Sequence, residues 1–283
     1  MSKHLLARAR LPKYVVLEKK RGETPLELLT AWKTEYVRNH PEHKNVLLSY
    51  AGRLDPMAEG KLLMLVGDEC KKQSQYTKLD KEYEIELILD LKTDTGDVLG
   101  ISEYSDNVTK PNSTEIKKAL HKEIGAHSRK YPIFSSKTVK GKQLFLYALE
   151  GTLDSITVPE HIEHFYRLSL LETKVLSETD TQTLIQNCLA VVPRSDEPSK
   201  VLGADFRQDE VREMWRELFL KVPVREFTLI RRRVTCGSGA YMRTLAERIG
   251  SSLGTSAFAI SIKRTKIGAF VSLGPVTFWR KQY

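Results

Sequence analysis

The residues best suited to do chemistry stand in the run Gly52-Arg53-Leu54-Asp55-Pro56, followed by Gly60. Pro56 biases Asp55 toward extended backbone, and the flanking glycines permit dihedrals closed to other residues. A carboxylate held this way, just ahead of the apolar run Lys61 to Val66, can project into a cleft. There it can act covalently or stabilise a cation. The same residues also read as an ordinary Asp-Pro turn. Charge offers a second kind of chemistry. Lys117, Lys118 and Lys122 form one basic group, and Arg129, Lys130, Lys137, Lys140 and Lys142 a second. Arg231, Arg232 and Arg233 form a third, and Lys263, Arg264 and Lys266 a fourth. Tyr131, Phe134, Phe145 and Tyr147 sit among the second group. Cations for phosphates beside flat rings for bases are what RNA binding needs, although solvated lysine faces look the same. His161 and His164, three apart on a polar stretch with no third ligand nearby, are poor support for a metal site.

These residues need elements to hold them. Lys13 to Glu18 predicts a strand, and Thr24-Pro25 opens a helix through Leu28, Leu29 and Trp32. Ser49 to Gly60 reads as a loop, Lys61 to Val66 as a buried strand, and the segment from Asp68 to about Leu79 as a polar helix. Lys81 to Asp90 alternates most clearly. Tyr83, Ile85, Leu87 and Leu89 fall on one face and Glu82, Glu84, Glu86 and Asp90 on the other, with Ile88 out of pattern. That is a half-buried strand of an antiparallel or mixed sheet. Thr93 to Gly100 is turn chemistry. Asn112 and Glu115 cap a helix carrying Ile116, Leu120 and Ile124, and Leu168 to Val175 is a further strand. From about Ser177 to Val224 the composition shifts toward Asp, Ser, Thr and Pro, which reads as an insertion holding a helix over Asp209–Lys221. Phe227 to Cys236 is a strand, broken at Gly237-Ser238-Gly239 and followed by a helix through Met242, Leu245 and Ile249 that stops at Gly250.

The 283 residues are 41% hydrophobic and 29% charged, with a formal net charge of +9, so a sizeable core and an attraction to polyanions are both expected. Cys70, Cys188 and Cys236 are odd in number and far apart, against a disulfide framework or a cysteine zinc site. No apolar run is long enough for a bilayer and the first segment is charged, so the expectation is a cytoplasmic chain with no membrane association.

Beyond these readings, Ala51-Gly52-Arg53-Leu54-Asp55-Pro56-Met57-Ala58-Glu59-Gly60 resembles the G-x-L-D-P-x-A-x-G motif around the catalytic Asp of TruB-type pseudouridine synthases. Further segments are similar in the family's order. Lys81-Glu82-Tyr83 and Thr93-Asp94-Thr95-Gly96-Asp97 resemble its K-x-Y strand and T-D-T-x-D turn. Tyr131 to Lys137, with Gly141 and Leu144 to Gly151, resembles its P-x-x-S-A-x-K stretch. Cys236 to Leu245 is similar to C-S-x-G-T-Y-I-R-T-L, and Lys263-Arg264-Thr265 with Gly268-Ala269-Phe270 to R-R-T-x-x-G-x-F. Lys20 to Pro25 corresponds loosely to K-P-x-G-x-T-S.

The resemblance implies an α+β fold, a mixed, largely antiparallel sheet flanked by helices with a central catalytic cleft. One catalytic domain over 1–283 is expected, with an RNA-gripping segment at about 121–151, the insertion at 177–224, and no C-terminal PUA domain. It implies isomerisation of uridine to pseudouridine without a cofactor. Asp55 corresponds to the catalytic carboxylate, and Arg243 to the arginine that holds it, expected in two-point geometry. Tyr83 corresponds to the tyrosine that stacks on the flipped uracil. Tyr241 and Ile262 correspond to residues lining the base pocket, and Lys137 to an RNA-contacting or active-site lysine. Tyr50 stands where the family usually has the His that displaces the uridine. Arg53 looks more like the G-R-L-D of the RsuA and RluA families, whose arginine takes part in base flipping. The expected partner is the T-arm of tRNA, modified at position 55 by a monomer. A tRNA-folding chaperone and a synthase acting on another RNA are the competing readings.

Overall fold

The computed structural model describes residues 11–192, 207–221, 224–273 and 276–283. The first strand, β1 (Tyr14–Lys19), leads into α1 (Pro25–Asn39), which begins where Thr24 and Glu27 form a reciprocal capping box with Pro25 in the first turn. Such a cap contributes about 1 kcal/mol. The stretch 49–60 is not the continuous loop expected of it. It begins in β2 (Leu48–Ala51) and ends in β3 (Ala58–Val66), so only 52–57 connects the two. Gly60 belongs to the strand because a neighbouring backbone crosses it closely: a Cβ there would lie 2.3 Å from the Arg264 carbonyl oxygen.

A short helix, α2 (Gln73–Thr77), then leads into β4 (Asp80–Leu89). Next come β5 (Leu91–Thr93), β6 (Ser102–Tyr104) and α3 (Ser113–Lys122). Asn112 and Glu115 cap α3 as expected, but Ile124 lies beyond its end and is exposed. Then follow β7 (Gly125–Lys130), the hairpin β8 (Thr138–Val139) and β9 (Lys142–Gln143), and α4 (Leu144–Leu149). The strand expected at Leu168 to Val175 is the distal part of β10 (Glu160–Leu176). The 177–224 stretch holds α5 (Glu178–Ala190), which the polar composition concealed, and α6 (Gln208–Lys221); its residues 193–206 and 222–223 lie outside the described residues. The chain continues through β11 (Phe227–Cys236), α7 (Met242–Ser252), β12 (Ala257–Leu273) and β13 (Val276–Gln282).

Nine strands form one sheet in the order β1-β3-β12-β4-β11-β10-β7, with β2 beside β3 and β13 beside β12. The β3–β12 pair is parallel and the other pairs are antiparallel, giving the mixed, largely antiparallel α+β architecture. On one face Tyr83, Ile85, Leu87 and Leu89 of β4 pack with Ile230 and Val234 of β11 against α3 and α7. On the other, Ile88 packs with Phe258 and Ile260 against Trp215, Leu218 and Ile185 of α5 and α6. This resolves the break in the β4 pattern: α5 and α6 cover the end of the second face where Ile88 sits. Glu84 lies further along that face, where it binds Arg231 and Arg233 at 2.7 Å each. Glu82 and Asp90 depart from the solvent face expected of them. Both are buried, Glu82 against Thr265 and Lys266 and Asp90 against Thr255 and Thr109.

Candidate active site

Asp55 lies in the 52–57 connection, and two buried cations brace it from either side. Arg264 of β12 donates from Nε to the Lys61 carbonyl (2.7 Å) and from Nη2 to the Gly52 carbonyl (3.1 Å). Lys19, at the end of β1, donates to the carbonyls of Ala58 (2.6 Å) and Pro56 (3.3 Å). Burial pushes the Lys19 ammonium down to about 8, opposed by nearby carboxylates that include Asp55. Gly52, at φ +84°, adopts a backbone conformation that side chains disfavour, and the Asp55 carbonyl accepts the Ala58 N–H at 3.0 Å to close the turn. Neither Lys19 nor Arg264 stood among the expected site residues. Counting back from Gly22 would have placed Lys19, not Lys20, on the lysine of K-P-x-G.

Arg243 sits in the first turn of α7, 5% exposed, and its guanidinium is spent on three elements at once. Nε donates to Asp55 Oδ2 at 2.9 Å, Nη1 to the Thr95 carbonyl at 2.7 Å and Nη2 to the Phe134 carbonyl at 2.9 Å. The expected two-point grip on the carboxylate is therefore a one-point grip, because both terminal nitrogens are taken by main-chain carbonyls. The anchoring is asymmetric: the arginine is buried while the Asp55 side chain is 41% exposed. A second carboxylate, Asp97, stands 3.7 Å from the same Nε through its Oδ2. Its Oδ1 accepts from Leu99 N–H (3.0 Å) and the Thr95 hydroxyl (2.9 Å). Burial raises the Asp97 pKa, and Arg243 counteracts that rise. The T-D-T-x-D turn contained Asp97 in the sequence, but only the fold shows that it converges on Arg243.

Asp55 divides two cavities. One, of about 290 Å³, has Tyr50, Arg53, Thr95 and Phe145 in its wall. The other, of about 280 Å³, is lined by Tyr83, Lys81, Tyr241, Met242, Ile262 and Arg264. Asp55, Arg53 and Arg243 border both. Tyr50 and Arg53 meet at the rim, where Arg53 Nη2 donates to the Tyr50 hydroxyl at 3.3 Å. Burial raises the pKa of Tyr83, and that of Tyr241 to about 12, so both phenols are neutral at physiological pH. Lys137 does not line either cavity. Its ammonium lies over the Tyr131 ring at 4.8 Å. Tyr131 in turn stacks on His161 at 4.0 Å and stands edge-on to Tyr241 at 6.2 Å.

The start of α7 is fixed from beneath. Glu163 of β10, 1% exposed, accepts the Tyr241 N–H at 2.8 Å and Arg248 Nη2 at 3.0 Å. Arg248 Nε also donates to Glu123 at 2.8 Å. A carboxylate at a helix N-terminus complements its dipole, and this one replaces the side-chain cap that Tyr241 does not supply.

Most cations of the third and fourth basic groups are engaged by the fold rather than free. Arg231 and Arg233 are engaged by Glu84, and Arg232 points into the core with no exposed surface. Arg264 is buried and Lys266 pairs with Glu82, while Lys263 stays exposed. The alternation of strands β11 and β12 directs one arginine of each run inward, which a count of cations cannot reveal.

The model of the TruB family pseudouridylate synthase N-terminal domain matches residues 43–186, half of the chain, and the chain belongs to that family. It is 27% identical over 248 residues to the tRNA pseudouridine synthase B of Caldicellulosiruptor saccharolyticus, covering 88% of this chain and 66% of that protein. With the enzyme of the same name from Psychrobacter arcticus it shares 24% over 256 residues, 90% of this chain and 53% of that one. The chain thus spans between about half and two thirds of the length of these relatives. A solved Cbf5-Nop10-Gar1 complex contains a chain of the same fold, at TM-score 0.50 and 16% identity, covering 90% of this chain and 48% of that one. No described helix is long and apolar enough to cross a membrane.

Proposed function

We propose that this protein isomerises a uridine of RNA to pseudouridine, with the uridine at position 55 in the T-arm of tRNA as its substrate and Asp55 as the catalytic carboxylate. One observation carries the reading: a half-exposed Asp55, fixed at 2.9 Å by a buried arginine, separates two small cavities. Family membership and the names of the relatives supply the reaction class and the tRNA substrate. The reaction breaks the N1–C1′ bond, turns the base and forms a C5–C1′ bond. C5 loses a proton and N1 gains one, so atoms and electrons balance with no redox partner.

Each group has a part in that sequence. Asp55 stabilises or captures the species left when the glycosidic bond breaks. The cavity of about 280 Å³ is smaller than the sites of drug-sized ligands, which suits one extruded nucleoside. Its Tyr83 stacks on the base, and Tyr241 and Ile262 close its sides. Extrusion costs about a few kcal/mol. Tyr50 and Arg53 at the rim offset this by filling the vacated stack. Lys137 and the rest of the 121–151 segment hold the backbone.

The test is release of tritium from uridine labelled at C5 in an unmodified tRNA transcript, with the product mapped chemically. Wild-type protein should release label from one position. Asp55→Asn should release none while binding the transcript within about threefold of wild type. Conversion by Asp55→Asn at the wild-type rate overturns the assignment. Binding and refolding of tRNA by the wild type without label release would instead support the chaperone reading.

A further inference from the structure

Five of the six cations of the third and fourth basic groups are buried or ion-paired and Lys263 alone of them is exposed with no ion pair among the described residues, so the clustered exposed cations of the first group stand out. Lys117, Lys118 and Lys122 are exposed on α3 and make no ion pair among the described residues. With Thr114 and His121 they fall within about 140° of the helix circumference, at 100° per residue. The opposite side, Ile116, Ala119 and Leu120, is buried in the core. This cationic face forms one wall of a groove of about 800 Å³ whose other wall is Ser252 and Leu253 at the end of α7, with Thr109 and Pro111 at one side. The groove's carboxylate, Glu115, is already committed to the capping box, where it accepts the Asn112 N–H at 2.8 Å. A helix face that only needs solubility intersperses acids at i,i+4. Here Lys118 and Lys122 face each other at that spacing, a repulsion that disfavours the helix. The walls add hydroxyls from Thr109, Thr114 and Ser252, which donate to phosphate oxygens as well as to water.

We infer that the groove between α3 and the end of α7 binds the phosphate backbone of RNA outside the target stem-loop. The observations favour nucleic acid over an acidic protein: the groove combines three lysines with three hydroxyls, and no Phe, Tyr or Trp lines it to anchor a side chain. They also favour contact without base recognition, since phosphate contacts position RNA and base contacts specify it. The place is consistent with a long substrate. Arg243 lies in the first turn of α7 and the groove at its far end, about 15 Å along a helix rising 1.5 Å per residue. The α3 chain runs directly on into β7, which carries the exposed Lys130 of the second basic group. This inference rests on the proposed RNA-modifying function and extends its substrate beyond the nucleotides around the cleft.

The test compares Lys117→Ala/Lys118→Ala with wild type on two RNAs, a stem-loop confined to the target arm and a whole tRNA transcript, each bound across a salt series. Both positions are exposed, and matching thermal melts would establish that the variant is folded. For the transcript, the slope of log K against log salt should shrink by about 2, close to one for each phosphate that the variant no longer neutralises. Affinity at low salt should fall about tenfold or more. Stem-loop affinity and conversion should not change. An unchanged slope and affinity on the transcript overturns the groove assignment while leaving the active-site reading intact. Wild-type protein that converts neither RNA overturns the active-site reading, and with it this one. Selective retention of an acidic protein by wild type, with transcript binding unaltered in the variant, would assign the groove to that other class of partner and overturn the RNA inference.

Discussion

Arg243→Lys isolates what the guanidinium does. The arginine makes three charged hydrogen bonds, of 2.9, 2.7 and 2.9 Å, to Asp55, Thr95 and Phe134. A lysine ammonium keeps the charge but cannot reach three divergent acceptors from one nitrogen. If it retains one bond, two are lost at about 1.5 kcal/mol or more each, roughly 3 kcal/mol in total. At about 2 °C per kcal/mol for a chain of this size, the melting temperature should fall by about 6 °C. Activity should suffer independently. With its donor gone, the half-exposed Asp55 is free to rotate toward water, and a misplacement of about 1 Å costs on the order of 100-fold in rate. Steady-state tritium release should therefore show kcat about 100-fold below wild type. KM should stay within about threefold, because the buried Arg243 lies beneath the surface proposed to meet RNA. A variant that melts lower yet keeps its kcat would reduce Arg243 to a structural part. A rise in KM at unchanged kcat would make it a binding group. Either result refutes the reasoning.

Two further predictions concern buried charge. Arg232 has no exposed surface, and its Nε, Nη1 and Nη2 have no hydrogen-bond partner among the described residues; burial pushes its guanidinium down to about 9. Since unpaired buried charges cost more than apolar side chains of similar size, Arg232→Met should raise stability by about 1–4 kcal/mol, read as a higher melting temperature; a lower one would mean that the guanidinium is satisfied in solution. Lys81, 5% exposed, is lowered by burial to about 8 from its ordinary 10.5. Between those values the unfolded chain binds more protons than the folded one, so stability rises with pH there. The cost of burying the cation, about 3 kcal/mol at 1.36 kcal/mol per pH unit, is fully present below pH 8 and relieved by about pH 10.5. Denaturant titrations of wild type and Lys81→Met should therefore diverge most at pH 7, in favour of the variant, and draw together toward pH 10; a gap independent of pH would count against it.

Much of the fold is legible in the sequence, for identifiable reasons. The caps of α1 and α3 are visible because a capping box is a local device written in four residues. Strand β4 is visible because one of its faces is apolar without interruption. Ile88 cannot be understood from its neighbours, since the helices that bury it arrive about a hundred residues later. The same holds for the site. Asp55 stands out because Pro56 and the glycines constrain it locally. Asp97, Lys19 and Arg264 do not, because their importance lies in carbonyls and carboxylates reached across the sheet. The arginine runs mislead for a simpler reason. Composition counts charges, and a strand sends alternate charges to opposite sides.

These long-range contacts also explain how the proposed catalytic carboxylate, Asp55, can be open to solvent and still be held in place. A deeply buried acid would be rigid but out of reach, and one on a free loop would be accessible but mobile. Here the rigidity is borrowed from below. Lys19 and Arg264 bind main-chain carbonyls on either side of Asp55, so the loop is fixed without using the carboxylate itself. Arg243 takes one carboxylate oxygen and leaves the other with no hydrogen-bond partner among the described residues. Glu163 holds the helix that carries Arg243. All four supporting side chains are 5% exposed or less, whereas the Asp55 side chain is 41% exposed. Because two of Arg243's bonds end on carbonyls in the 93–100 turn and the 121–151 segment, the carboxylate's position depends on three separate stretches of chain meeting correctly. A shift of Phe134, such as proposed RNA docking could bring, would therefore be felt at Asp55 through a single guanidinium, without any residue of the 52–57 loop itself having to move first.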